Sequence, residues 1–150
     1  MKSLPRTAAA LIVAMTVAAS AAATTTVAAN AAPNACALVT TAEASTAMSV
    51  ASLPGKARST RHGSSCRYYS PNHQMNVFVQ TIGAGDMIGA GQLGGKPVPG
   101  IGDKAIWASG SLFVQKGGNY AQVGLYRSAA SMQQMDPQIV ALGKAAAGRM

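Results

Sequence analysis

The side chains of this chain that could hold a metal ion are clustered around its second histidine. His73-Gln74-Met75 places an imidazole and a thioether two residues apart, so both would lie on one face of a strand that reached this far. Soft ligands of this kind select Cu(I), and Met87 is a candidate third ligand. Against a copper site, Met75 fits the core pattern of the next strand and His73 follows Asn72 in a predicted turn. A core methionine and a surface histidine are therefore the preferred interpretation.

The acidic side chains are too few for the common hydrolytic arrangements. Of the four carboxylates, Glu43 and Asp136 are assigned to helix starts and Asp103 to a turn, which leaves Asp86 alone. A serine or cysteine nucleophile needs a positioned base and an orienting acid, and a glycosidase needs two facing carboxyl groups. The sequence therefore predicts no catalytic residue and no cofactor.

The N-terminus has the pattern of an export signal. Lys2 and Arg6 precede an apolar run at 8–19, which is shorter than the roughly 20 residues that a membrane-spanning helix needs. Small residues precede the predicted cleavage site after Ala31, and cleavage after Ala23 is the alternative. We therefore expect no membrane anchor after cleavage. The predicted division is a cleaved signal peptide at 1–31, a flexible leader at 32–35 and one domain at 36–150.

The two cysteines are consistent with export. Cys36 and Cys66 are the only cysteines of the chain, and in an exported protein they most simply form one disulfide. On the chain-entropy model, a loop of this length would contribute roughly 3 to 4 kcal/mol. The predicted localisation is secreted or periplasmic.

The chain is basic, and this favours anionic partners. Removal of the signal peptide lowers the formal charge from +8 to +6, which is ten basic minus four acidic residues. Such an excess is compatible with an acidic protein or an anionic component of the cell envelope as partner, but simple solubility is the preferred interpretation because the basic residues are scattered. The sequence leaves the partner unknown. Only Lys56 to Arg61 approaches a cluster, and on a strand Lys56 and Arg58 would point to one face and Arg61 to the other. The aromatic residues lack the glycine-aromatic signature of an RNA-recognition strand, so no specific nucleic acid is predicted.

Helix signals flank a series of strand signals. Thr40 to Glu43 fits a capping box for a helix that ends near Met48, and Asp136-Pro137 fits the start of a C-terminal helix. Seven glycines lie in 83–100, where a short helix and a mobile connection are equally compatible with the sequence. The predicted strands are an edge hairpin within 57–70, a strand at 75–82, and a meander with strands at 104–108, 112–116 and 120–126. The predicted fold is α+β, an antiparallel sheet of about five strands with an N-terminal and a C-terminal helix packed on one face.

Three local patterns resemble a known group of proteins. They are Cys36-Ala-Leu-Val-Thr, Cys66-Arg-Tyr, and Pro-Val-x-Gly-Ile-Gly-Asp-x-Ala from Pro97 to Ala105. Together they resemble small exported bacterial domains of unknown function, over residues 36–150. The resemblance implies a fold similar to the PsbP-like α+β domains and implies no shared activity. The chain departs from the pattern by its glycine-rich stretch before the turn.

Alternation along the meander predicts a binding face. The apolar residues assigned to the core are Ile106, Ala108, Leu112, Val114, Ala121, Val123 and Leu125, which leaves Trp107, Phe113, Gln115, Gln122 and Tyr126 on alternate positions. An exposed face with aromatic and basic residues suits an acidic protein or a glycan, unless the helices cover these aromatics. The predicted function is a non-catalytic binding or accessory module, and the alternative is a periplasmic copper-binding protein using His73 and Met75. The candidate binding residues are Trp107, Phe113, Tyr126, Arg67, Lys104 and Lys116.

Overall fold

The computed structural model describes residues 32–127, 135 and 137–150. The predicted signal peptide and the predicted N-cap at position 136 lie outside the described residues. The helices are α1 (Ala35–Leu38), α2 (Thr41–Met48), α3 (Ala84–Gln92) and α4 (Pro137–Ala147). The strands are β1 (Lys56–Thr60), β2 (Gly63–Tyr69), β3 (Asn76–Thr81), β4 (Lys96–Pro97), β5 (Lys104–Ala108), β6 (Ser111–Lys116) and β7 (Asn119–Tyr126). None of the helices in the described ranges has the length and apolar character needed to cross a bilayer.

The strands form one antiparallel sheet in the order β1-β2-β3-β7-β6-β5-β4. The α+β class with an antiparallel sheet is confirmed, but the prediction of about five strands is wrong because the sheet has seven. The short strand β4 has two residues, one of them a proline, so it carries no periodic signal, and it exists by pairing with β5. Strand β1 has no buried residue, and it is held by its hairpin partner β2 rather than by a core of its own.

The predicted capping box starts α2 as expected. The Thr40 hydroxyl accepts a hydrogen bond from the Glu43 backbone N–H at 3.2 Å, and the Thr40 N–H donates to the Glu43 carboxylate at 2.8 Å. These two bonds satisfy donors that the first helical turn would otherwise leave open. The predicted helix from Thr41 to Met48 is confirmed.

The disulfide joins Cys36 to Cys66, as predicted, and ties α1 to β2. Cys66 is buried in the sheet, and the neighbouring Tyr68 hydroxyl donates to the Val39 carbonyl oxygen just after α1. The N-terminal part of the domain is thus attached to the sheet by the disulfide and by several hydrogen bonds, among them the one from the Ala35 N–H to the Ser64 hydroxyl at 2.8 Å.

The larger core lies on one face of the sheet, here called the packed face. Residues of α1, α2 and α4 form a single buried cluster with inward residues of five strands. The cluster includes Leu38, Ala44, Met48, Tyr68, Val77, Val79, Leu112, Val114, Val123, Ile139 and Leu142. We call the opposite side of the sheet the open face.

A smaller cluster lies on the open face under α3. Met87 and Ala90 of α3 pack there with Ile106 and Ala108, and Phe113 and Tyr120 are half-buried beside them. The prediction that Ile106 and Ala108 share the core of Leu112 is therefore wrong.

The β5–β6 turn is the physical reason for this difference. The turn has two residues, Ser109 and Gly110, both with positive φ, so the strands pair directly at Ala108 and Ser111. This register places Trp107 opposite Leu112, on the packed face. Ile106 lies opposite Phe113, on the open face.

Candidate functional site

Three basic side chains from two neighbouring strands meet on the open face. Lys56 of β1 lies directly opposite Arg67 of β2, and Arg58 lies opposite Ser65. Residues directly opposite each other in an antiparallel pair project to the same side of the sheet, and residues two apart on one strand do so as well. We call Lys56, Arg58 and Arg67 the basic patch. All three are exposed.

The hairpin that presents the patch is positioned by β3. The Thr81 hydroxyl accepts a hydrogen bond from the Ser64 backbone N–H at 2.9 Å and donates to the His62 carbonyl oxygen at 2.8 Å. Gly63 lies over this hydroxyl with φ of +123°, and a Cβ there would approach it to 2.6 Å. The hairpin turn is therefore fixed by tertiary contacts, which compensate for the lack of a core under β1.

The charge of the basic patch is not neutralised by the described part of the chain. Each described acid has other partners: Glu43 pairs with Arg149 at 2.8 Å, and Asp103 pairs with Lys116 at 3.1 Å. Asp86 lies 3.7 Å from Arg61 and 3.8 Å from His62, and it accepts the Gly83 N–H at the start of α3. Within the described ranges, no ion pair or hydrogen bond joins a side chain of the patch to a carboxylate.

The patch borders a depression of about 300 Å³ on the open face. Besides the three cations, Ser65, Tyr69, Phe78 and Gln80 line it. The Arg67 guanidinium carbon lies 5.7 Å from the centre of the Phe78 ring, which is cation–π distance. This contact orients Arg67 over β3. The depression therefore offers two guanidinium groups, one ammonium group and the hydroxyls of Ser65 and Tyr69 to a ligand, which are donors that suit carboxylate, sulfate or phosphate.

The structure separates the six predicted binding residues into two groups. Phe113, Tyr126, Arg67 and Lys104 occupy open-face positions of their strands. Only Arg67 belongs to the basic patch. Phe113 lies beside α3, Tyr126 lies opposite Asn76 on β3, and Lys104 is at the far end of the sheet.

The other two predicted binding residues are placed differently from the prediction. Trp107 is half-buried against the main core, so the prediction that it faces outward beside Phe113 is wrong. The two-residue turn between β5 and β6 places Trp107 and Phe113 on opposite faces of the sheet. Lys116 occupies a packed-face position at the end of β6, where it pairs with Asp103. Neither side chain is free to join the basic patch.

Sequence reasoning missed Lys56, Arg58, Ser65 and Gln80 as one site. The sequence did contain part of the signal. Lys56 and Arg58 are two residues apart, so they face the same side of a strand, and Cys66 faces the core, so its neighbours on the next strand face away from it. What the sequence lacked was the register, which places Arg67, and not Tyr68, opposite Lys56.

The predicted copper ligands do not converge. His73 is exposed in a turn with φ of +57°, and its ring centre lies 5.2 Å from that of Tyr69. Met75 packs against the main core, whereas Met87 lies in the smaller cluster on the opposite face of the sheet, so the expected third ligand is wrong. In the part of the chain that the structure describes, no three His, Cys, Asp or Glu side chains form a group that could hold a metal ion.

No family model, curated protein or solved structure matches this chain. The likeness to small exported domains stays a prediction from the sequence.

Proposed function

We propose that the chain is an exported, non-catalytic binding module that holds an anionic ligand on the basic patch of its open face. The observation that carries the proposal is the juxtaposition of Lys56, Arg58 and Arg67 around one depression, with no acidic partner in the described chain. Export is supported by the signal pattern at 1–31 and by the disulfide, which forms and persists in oxidising compartments.

The arrangement of the charges favours ligand binding over simple solubility. Like charges directly opposite each other in a sheet are destabilising, and Lys56 and Arg67 stand in that relationship. Solubility is served equally well by dispersed cations such as Lys96, Lys104 and Lys144, which incur no such cost. A bound anion would offset the repulsion between these cations, because its negative charge lies between them and accepts a charge-assisted hydrogen bond from each.

Binding rather than catalysis fits the lining of the depression. Its described lining contains neither a histidine nor a carboxylate, so it offers no group with the chemistry of a general base near neutral pH. The depression is therefore suited to recognise charge and shape.

A matched pair of triple variants tests the proposal. Lys56→Gln/Arg58→Gln/Arg67→Gln removes the patch, and Lys96→Gln/Lys104→Gln/Lys144→Gln removes the same charge from exposed positions elsewhere. With heparin as a soluble polyanion in isothermal titration calorimetry, we expect the patch variant to lose at least about tenfold in affinity, since charged hydrogen bonds contribute roughly 1.5 to 3 kcal/mol each.

The control variant should lose much less affinity than the patch variant. Its affinity should also depend more steeply on the salt concentration than that of the patch variant. Equal losses in the two variants would mean that binding follows net charge alone, and this result would contradict the proposal. Thermal melts of both variants establish that each one is folded.

A further inference from the structure

A row of side chains crosses the open face at right angles to the strands. The strand registers place Arg58 opposite Ser65, Ser65 opposite Gln80, Gln80 opposite Gln122, and Gln122 opposite Phe113. Neighbouring strands lie about 4.8 Å apart, so four strand steps make this row about 19 Å long. We call these five residues the polar row. It leads from the basic patch to the side of α3.

Two depressions meet along the polar row. The depression at the basic patch and a second one of about 370 Å³ are both lined by Gln80. Gln122 and Phe113 line the second depression on the sheet side, and α3 forms its wall. The two depressions therefore adjoin at Gln80, and we call them together the groove.

The wall that α3 contributes includes two glycines beside Asp86 and Ala90. Gly85 and Gly89 line the groove, and a Cβ at either position would meet nothing within 4 Å. Glycine is unfavourable within a helix by about 1 kcal/mol relative to alanine. At this position it lets a ligand approach the helix closely, as glycines do where the backbone borders a ligand.

The floor of the groove can recognise hydroxyl groups. The Gln80 Nε2 donates to the Gln122 Oε1 at 2.8 Å. Each amide has a second polar group, so among the described residues Gln80 keeps an unused acceptor oxygen and Gln122 an unused NH₂ donor. Ser65 and Ser109 add hydroxyls at the two ends, and the half-buried Phe113 ring adds an apolar surface. Alternating donors and acceptors beside an aromatic ring complement a sugar, which has hydroxyl edges and an apolar ring face.

An extended peptide fits the groove less well. Strands β3 and β7 are paired on both sides, so their backbone groups are used within the sheet and cannot accept an added strand. The free edge of β1 runs along the strand direction and not along the polar row. Peptide recognition through main-chain pairing is therefore not available on the floor of this groove.

We infer that the ligand is an acidic oligosaccharide that lies across the strands in this groove. Its carboxylate, sulfate or phosphate groups bind the basic patch, and its hydroxyls and sugar rings occupy the segment from Gln80 to Phe113. This inference rests on the proposed function, because the patch supplies the anion contact.

The test compares a sugar and a peptide of equal charge. Tetragalacturonic acid and tetraglutamate each carry side-chain carboxylates in a short chain, and both are titrated into the exported protein. We expect tetragalacturonic acid to bind at least about tenfold more tightly. The Gln80→Ala/Gln122→Ala variant should abolish this preference. The Gln122→Ala variant, whose side chain lies outside the depression at the basic patch, should weaken the preference and leave the affinity for tetraglutamate unchanged.

The Gln74→Ala/Gln92→Ala variant is the matched control, since both amides are exposed and lie outside the groove, and it should bind like the wild type. Should the first variant melt early, Gln122→Ser keeps a small polar side chain and should show the same loss of preference. Equal binding of the two probes, unchanged by either groove variant, would overturn the oligosaccharide inference and leave the anion site standing. No binding of either probe, together with no effect of the patch variant on heparin, would overturn both.

Discussion

Glu43 and Arg149 form a two-point ion pair, although 106 positions separate them in the sequence. The guanidinium nitrogens Nη1 and Nη2 lie 2.9 and 2.8 Å from the two carboxylate oxygens of Glu43. Arg149 Nη1 also donates to the Leu38 carbonyl oxygen at the end of α1. The chain segment after α4 is thereby joined to the end of α1 and to the first turn of α2.

This pair makes the stability of the domain depend on pH. The hydrogen bond from Arg149, supported by the bonds to Thr40, lowers the pKa of Glu43 from 4.5 to about 2. Because the carboxylate binds its proton more weakly in the folded protein, the stabilisation is complete above about pH 4.5 and is lost as the pH falls towards 2. We expect a loss of about 1 to 2 kcal/mol over this range, after discounting the full shift for the partial exposure of both side chains. Urea unfolding at several pH values measures it.

The Glu43→Gln variant isolates the charge, because glutamine at this position can still reach back to the helix start. Its stability at neutral pH should be lower, and its acid loss between pH 4.5 and 2 smaller, than those of the wild type. Asp103→Asn removes an exposed pair with Lys116 and should change the acid profile less. A Glu43→Gln profile that overlays the wild type would show that the ion pair does not stabilise the fold.

The disulfide should supply a large part of the stability. Replacing Cys36 and Cys66 with serine opens a loop closed across 30 positions, and the chain-entropy model gives a loss of about 3 to 4 kcal/mol. Denaturant unfolding measures the loss. Reductant should lower the stability of the wild type to that of the variant and should leave the variant unchanged. A wild type that is insensitive to reductant under unfolding conditions would speak against this role.

Trp107 should contribute to stability and not to ligand binding. It is half-buried against the main core, on the face of the sheet opposite the basic patch. Trp107→Ala should therefore cost about 2 to 3 kcal/mol, below the range for fully buried tryptophans, and should leave heparin affinity unchanged. Tyr126→Ala, at an exposed open-face position, should cost little stability. Loss of heparin binding by Trp107→Ala at unchanged stability would restore the original prediction of an outward tryptophan.

Two glycines in helices should respond to alanine in opposite directions. A Cβ on Gly143 of α4 would lie 2.2 Å from the Leu112 Cδ2 in the core, so Gly143→Ala should destabilise by about 1 to 3 kcal/mol despite its better helix propensity. Gly89 of α3 has open space at its Cβ, and Gly89→Ala should stabilise by about 0.5 to 1 kcal/mol. Chemical unfolding compares the two. Stabilisation by Gly143→Ala would mean that α4 does not lie this close to β6, and destabilisation by Gly89→Ala would mean that the space beside α3 is not open.

Features with local signals could be predicted from the sequence. The capping box at Thr40 starts α2 where expected, and the alternation of MNVFVQTI matches a strand whose Val77 and Val79 are buried. The disulfide followed from cysteine count and export pattern. The helix start and the strand depend on residues that are close together in the sequence. The disulfide was predictable because two cysteines allow one pairing.

Features that depend on register could not be predicted in the same way. The opposite faces of Ile106 and Trp107 follow from the number of residues in the β5–β6 turn, and a change of one residue would exchange them. Helix α3 forms among glycines because its apolar Met87 and Ala90 find Ile106 and Ala108 on the sheet, a tertiary effect that overrides low propensity. The basic patch likewise requires the pairing of β1 with β2, since neither strand alone carries it.

The central claim, that anions bind at the basic patch, is tested most directly by backbone amide chemical shifts in a titration of the isotope-labelled protein with a heparin-derived tetrasaccharide. The account predicts that the largest shifts lie in residues 56–58 and 65–67, with the amides near Lys96, Lys104 and Lys144 almost unchanged. Shifts spread evenly over all basic residues, or concentrated near Lys96, Lys104 and Lys144, would contradict it.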